Sequence, residues 1–169
     1  MRPQDIVVLL KKCTDYGRDM NNKQLAESLH ISASEISESL ERSRYAGLID
    51  HKKKKVNIAA LVEFLVYGLK YVYPAIPKGI VRGMATGASA YPLNNILNKS
   101  EEKFVWKYKD GKDRGQEITP LYTTVPLAAE EDKQLYELLS LTDALRTGSI
   151  RELGLAKKEI IKLLIGNEE

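Results

Sequence analysis

The chain has few of the residues that carry metal and redox chemistry, with one cysteine and two histidines in 169 residues. Cys13 alone closes no internal disulfide, and a lone thiol points to a reducing, cytoplasmic setting. With His30 and His51 set apart in the sequence, no zinc-ligand spacing can be drawn, and no metal or other cofactor is expected. Neither histidine has a Cys or Ser nucleophile beside it, so both read as turn or surface residues and no enzyme is expected. Long apolar runs are missing too. The longest, residues 58–66, is interrupted by Glu63 and falls short of the ~20 residues that span a bilayer, so no membrane partner is expected. Residues 1–5 place Asp5 where a secretion signal carries bases, and no small-residue cleavage site follows, so no such signal is expected.

What is present is an ordinary globular composition, 43% hydrophobic and 29% charged, with a formal net charge of +3. That charge is unevenly spread. Residues 1–55 hold 11 basic and 8 acidic side chains, residues 56–100 hold 4 and 1, and residues 101–169 hold 11 and 14. A basic front and an acidic rear suit a chain with one phosphate-facing surface. The acidic rear also suits a protein partner.

Helical signals dominate the front. Ile6, Val7, Leu9 and Leu10 predict a short amphipathic helix, with Pro3 suited to its first turn. Asn21 or Asn22 caps a second, in which Leu25, Ala26 and Leu29 recur at helical spacing. Ser32 opens a third, and Glu35 three residues on completes a capping box. Ile36, Leu40 and Ser43 form its inner stripe, and Gly47 stands where a helix-ending glycine belongs. Residues 48–50 and 56–58 then read as two short strands around the basic tip His51-Lys52-Lys53-Lys54-Lys55. Asn57 caps a helix over 58–73, apolar nearly all round, that stops at Pro74. Such a helix is expected to be buried, under the first domain or against a second subunit.

Residues 74–100 change composition, with Pro74, Pro77, Gly79, Gly83 and Gly87 among small side chains, and read as a loop or linker. The stretch 79–89 is glycine-rich but lacks the Gly-Lys-Ser/Thr ending of a phosphate loop. It reads as an ordered loop or inter-subunit arm, with Arg82 adding positive charge beside the front unit as a further candidate to contact nucleic acid. Residues 104–108 and 118–121, around a turn, predict a hairpin. Helices over 131–147 and 149–165 close the chain, Glu130-Glu131-Asp132 being an acidic helix start. Trp106, Tyr108, Tyr122 and Tyr136 read as core. The predicted fold is mainly α with small β: a unit over 1–73, a linker over 74–100, and an α+β region over 101–169 with a hairpin and two helices, serving dimerisation or partner binding.

The run from Gln24 to Leu40, with Leu25, Ala26, Leu29, Ile31, Ser32, Ile36 and Leu40, followed by Tyr45-Ala46-Gly47-Leu48-Ile49, resembles the bacterial winged helix-turn-helix regulators of MarR type. Ala26 is small enough for two helices to cross closely, and the five Leu and Ile residues supply a shared core. The resemblance covers residues 2–73. It implies that helix 33–46 enters a DNA major groove while the basic wing 51–55 follows the backbone. Ser32, Ser34, Ser37, Glu38, Arg42 and Arg44 would then face DNA from the helix, and Lys52, Lys53, Lys54 and Lys55 from the wing. Three glutamates on a DNA-reading helix depart from expectation. Glu35 is accounted for by capping, whereas Glu38 and Glu41 need a cytosine amino group or a cation such as Arg42. The expected function is a homodimeric, sequence-specific transcriptional regulator acting on double-stranded DNA. The alternative is a DNA-binding antitoxin or other partner-binding protein of a toxin or defence system.

Overall fold

The computed structural model describes residues 1–97 and 102–166. It is mostly helical, with one small three-stranded sheet.

The first helix, α1 (Pro3–Lys12), starts at Pro3, and the Asp5 carboxylate accepts from the Arg2 N–H at 2.7 Å. Asp5 through Lys12 are all buried, so α1 is covered on nearly every side rather than on one apolar stripe. Asn21 caps α2 (Asn22–Leu29) by accepting from the Gln24 N–H, and Gln24 returns the bond to the Asn21 N–H. His30, at φ 54°, turns the chain sharply into α3 (Ala33–Tyr45). Ser32 caps α3 through the Glu35 N–H. Leu25, Leu29, Ile31, Ile36 and Leu40 are buried together, as their spacing predicts.

Gly47, at φ +73°, releases the chain from α3 in the left-handed conformation that glycine adopts without steric cost. Ile49 and Val56 form one antiparallel bridge, and residues 50–55 make the turn between them. The following helix, α4 (Ile58–Glu63), capped by Asn57, runs through a π-helical turn over Phe64–Gly68 into α5 (Leu69–Val72). Leu61, Leu65 and Leu69 are buried, but Tyr67, Tyr71 and Val72 face solvent. The expected full burial of 58–73 is thus half met: within one chain Leu61, Val62, Leu65 and Leu69 are covered and the opposite side is not.

Residues 80–85, read from the sequence as linker, form β1 (Ile80–Ala85). The expected hairpin is corrected as well. The strands β2 (Phe104–Lys107) and β3 (Asp113–Glu117) run parallel to each other, and each pairs antiparallel with β1, closing a three-stranded barrel. Closure demands close backbone approach. A Cβ on Gly83 would sit 1.8 Å from the Trp106 carbonyl oxygen, and one on Gly115 would sit 2.3 Å from that of Lys103. Of the glycines that suggested a loop, Gly83 is therefore one that lets the strands meet, as does Gly115 on β3. A short helix α6 (Leu93–Ile96) follows β1.

Three helices rather than two complete the described chain: α7 (Val125–Glu131), α8 (Lys133–Thr147) and α9 (Ile150–Ile165). The acidic run 130–132 joins α7 to α8 rather than opening a helix, with Asp132 as the cap of α8. Trp106 is buried, as expected, and its Nε1–H donates to Asp143 of α8 at 2.5 Å. Thr86 and Arg146 also bond Asp143, while Arg146 Nε donates to the Tyr73 carbonyl at 2.8 Å. Burial pushes the Asp143 carboxyl up, against the pull of Arg146 and its other donors.

Front and rear share a single apolar core, with α1 against α8 and α2 against α7. Lys11 of α1 forms a buried ion pair with Asp132 at 2.7 Å, and Thr124 donates to the Leu29 carbonyl at 2.7 Å. The contact explains why α1 is covered all round: the rear helices occupy the side a free three-helix unit would leave to water.

Candidate nucleic-acid interface

The outward face of α3 follows from the inward one. With Ile36, Ser39, Leu40 and Ser43 buried, the intervening positions Ser34, Ser37 and Glu38 are exposed, together with Ser32 and Ala33 at the start. Tyr45 stands 89% exposed at the end. Ser32 Oγ already accepts the capping N–H of Glu35 and lies 3.2 Å from Ser34 Oγ. Ser34 and Ser37 thus offer hydroxyl donors and acceptors to a ligand on this face.

The glutamates find cations within the protein. Glu35 does not close the expected capping box: its carboxylate takes a short contact from Arg42 and a 3.0 Å bond from Gln4, with Arg2 at 3.4 Å. The Arg42 hydrogen bond is the main reason its carboxyl is held below the usual range. Glu38 lies 3.4 Å from Arg42, one turn away. Glu41 is held by Arg44 on its own helix and by Lys53 of the turn over 50–55. Those two hydrogen bonds, Arg44's first, lower the Glu41 carboxyl to about 2.

These pairs sort the predicted site residues. Arg42 is turned inward: its Nη2 lies 2.7 Å from Asp5, a side chain with 0% exposure, and Glu35 and Glu38 complete its surroundings. Arg44 remains at the surface but is engaged by Glu41. Lys53 fastens the turn to α3 through that same Glu41. Lys52, Lys54 and Lys55 are exposed, and no carboxylate among the described residues forms an ion pair with them. Arg82 lies apart, on β1, where its Nε donates to the Gly111 carbonyl at 2.6 Å. The structure thus brings the serines, Glu38, Arg44 and the lysine turn together beside α3. Arg42 supports that assembly from behind, and Arg82 belongs to the barrel.

The lysine turn owes its shape to Asp50. One carboxylate oxygen accepts the N–H groups of Lys54 at 2.7 Å and Lys55 at 3.1 Å. The Lys54 bond is the first reason the Asp50 carboxyl is lowered. Lys53 adopts a left-handed φ of 56° at the tip. Four consecutive lysines repel one another, and an aspartate tying down their backbone holds them as a compact cationic knuckle. The pattern Asp-x-x-x-Lys carries this signal in the sequence, and sequence reasoning missed it.

The remaining candidates separate from this surface. Cys13 is largely enclosed, and burial pushes its thiol up to about 12. His30 faces Glu131 at 3.0 Å. Among the described residues, no group of three or more His, Cys, Asp or Glu is placed to hold a metal ion, and no helix is long and apolar enough to cross a membrane. In the rear, Glu131, Asp132 and Asp143 are turned toward His30, Lys11 and Arg146. No protein-family model matches the chain, and comparison with curated proteins and with solved structures finds no match in either.

Proposed function

We propose that residues 2–73 act as a winged helix-turn-helix that binds double-stranded DNA, in a sequence-specific transcriptional regulator. Three helices, a sharp turn at His30 and a small hairpin behind the third helix are the arrangement that reading requires. One observation carries it. Lys52, Lys54 and Lys55 form an exposed cationic knuckle without ion pairs among the described residues, fastened by Lys53 and Glu41 to the helix that exposes Ser34 and Ser37. A helix face rich in hydroxyls beside an unneutralised basic tip suits a groove flanked by phosphates. Lysines facing phosphates release counterions, so affinity should fall steeply with salt.

Homodimerisation accompanies the reading, because a single unit covers little DNA and two-fold operators match two-fold proteins. The exposed Tyr67, Tyr71, Val72 and Ile76 support a further protein contact on the outer side of α4 and α5. If that contact is made with a different protein, the antitoxin or partner-binding reading takes over.

Genomic binding-site sequencing on the tagged protein, followed by fluorescence polarisation on the recovered sites, tests the proposal. Replacing Lys52, Lys53, Lys54 and Lys55 by alanine should sharply weaken binding and flatten its salt dependence. Unchanged affinity in that variant removes the wing from the interface. A monodisperse dimer by mass measurement supports self-association, whereas steady co-purification with a neighbouring gene product supports the partner reading.

A further inference from the structure

Behind the lysine turn lies a cavity of about 900 Å³, between the end of α1, the segment before α2, the turn itself and Leu164 of α9. That volume is in the range of small-ligand sites. Six of its lining residues are cationic, Lys12, Arg18 and the lysines 52–55, of which Lys53 is already paired with Glu41, and the one lining carboxylate is that of Asp19. Cys13, Met20, Val56, Ile58 and Leu164 supply an apolar wall.

Lys12 is the residue that makes this a site and not a crowded turn. It is only 6% exposed, and its ammonium makes one hydrogen bond, to the Arg18 carbonyl at 3.3 Å. An ammonium has three donors. Among the described residues no carboxylate pairs with it, unlike its neighbour Lys11, which is matched by Asp132 at 2.7 Å. A buried cation without an anion is costly. Burial lowers the Lys12 pKa, with the more distant Asp19 and Asp50 opposing. Arg18 is likewise loosely held, with Asp15 at 3.8 Å.

We propose that this cavity binds a small organic phosphate, whose phosphate groups lie between Lys12, Arg18 and the lysine turn and whose body rests on the apolar wall. Lysines hold phosphate as point charges without demanding a planar partner. An inorganic ion would leave most of the space and the apolar wall unused. Lys12 lines the cavity with only a small part of its surface open, so a ligand meets it at that opening, while a duplex on the outer face is held by the lysine turn. Because the ligand draws on the same lysines assigned above to DNA, it competes with DNA, and by reciprocity DNA lowers its affinity. That competition rests on the DNA-binding reading; ligand binding itself does not.

The test uses the full chain with ATP, coenzyme A and geranyl diphosphate as probes and tripolyphosphate as the body-free control, read by calorimetry and by thermal shift at fixed salt. At least one organic phosphate should raise the melting temperature by several degrees and bind ten-fold or more tighter than tripolyphosphate. Lys12→Met keeps the packing and removes the charge, and should abolish that response while leaving DNA affinity as in the unaltered protein. Met20→Trp, which fills the cavity without changing charge, should abolish it too. No response to any organic probe, equal binding of tripolyphosphate, or an unchanged response in either variant overturns the site. If a probe binds but does not displace DNA, the cavity stands and its competition with DNA falls. If the protein binds no DNA at all, the calorimetric result still decides the cavity.

Discussion

Arg42 holds Asp5 through two nitrogens, with Nη2 2.7 Å from one carboxylate oxygen and Nε 3.0 Å from the other, and so bolts α3 to α1. The carboxylate is fully buried and its partner mostly so. This pair decides what Arg42 does. Arg42, expected from the sequence to face DNA, is instead a positioning residue for α3.

Arg42→Ala should therefore act on stability first. It leaves the Asp5 charge buried with only the Arg2 N–H, a loss in the range of ~3–5 kcal/mol for breaking a buried pair. Arg42→Lys should rescue little, since an ammonium cannot reproduce the two-pronged contact. Urea denaturation followed by circular dichroism measures this. A variant as stable as the parent would mean that Arg42 is free for DNA.

Glu41 sits between Arg44 and Lys53, and Glu41→Gln should release both cations. Under the proposed function, DNA affinity at low salt should rise several-fold and the salt dependence steepen, as polarisation titrations across salt concentrations would show. Weaker binding would place Glu41 itself against a base.

The same carboxyl sets a pH window. Its folded-state value is depressed from 4.5 to about 2 by its partners. The contribution of the contact is therefore complete above 4.5 and is lost as pH falls through about 2. A carbon-detected NMR titration should show the Glu41 carboxyl midpoint near the lower value, with the lysine turn shifting in step. A midpoint near 4.5 would mean the turn is not fastened there.

Gly83→Ala should disrupt the barrel, because its new methyl group would meet the Trp106 carbonyl oxygen at 1.8 Å, a backbone atom that has no room to yield. Destabilisation should reach or pass the upper end of the ~1–3 kcal/mol typical of overpacking. The chain's one tryptophan, Trp106, reports the change by fluorescence. An unperturbed spectrum and midpoint would contradict the closed three-stranded arrangement.

Cys13 should react slowly with iodoacetamide at pH 7.5, because the nucleophile is the thiolate and burial pushes the thiol up to about 12. Labelling should accelerate sharply in denaturant. Rapid labelling of the folded protein would mean that the thiol is open to solvent and poised to react.

Much of the front was legible because its signals are local. Asn21, Ser32 and Asn57 each accept an N–H three residues ahead, and Gly47 takes up a left-handed turn that needs only its own backbone. The strand over 80–85 was not legible, since its partners lie twenty to thirty-six residues away and Gly83 interrupts its side-chain pattern. Nor was the covering of α1, which depends on Lys11 meeting Asp132 across more than a hundred residues.

The sequence by itself determined where helices begin and end and which apolar side chains turn inward, because those choices rest on hydrogen bonds and spacings within one or two turns. Only the tertiary structure decided which charges are spent and which are free. Arg42 and Lys53 look like Lys52, Lys54 and Lys55 in the chain, yet folding brings Asp5 to the one and Glu41 to the other, whereas Arg44 meets Glu41 one turn away on its own helix. Pairing in space, unlike capping, leaves no fixed interval in the sequence. The same holds for Lys12, whose missing partner is visible only once the chain has closed around it.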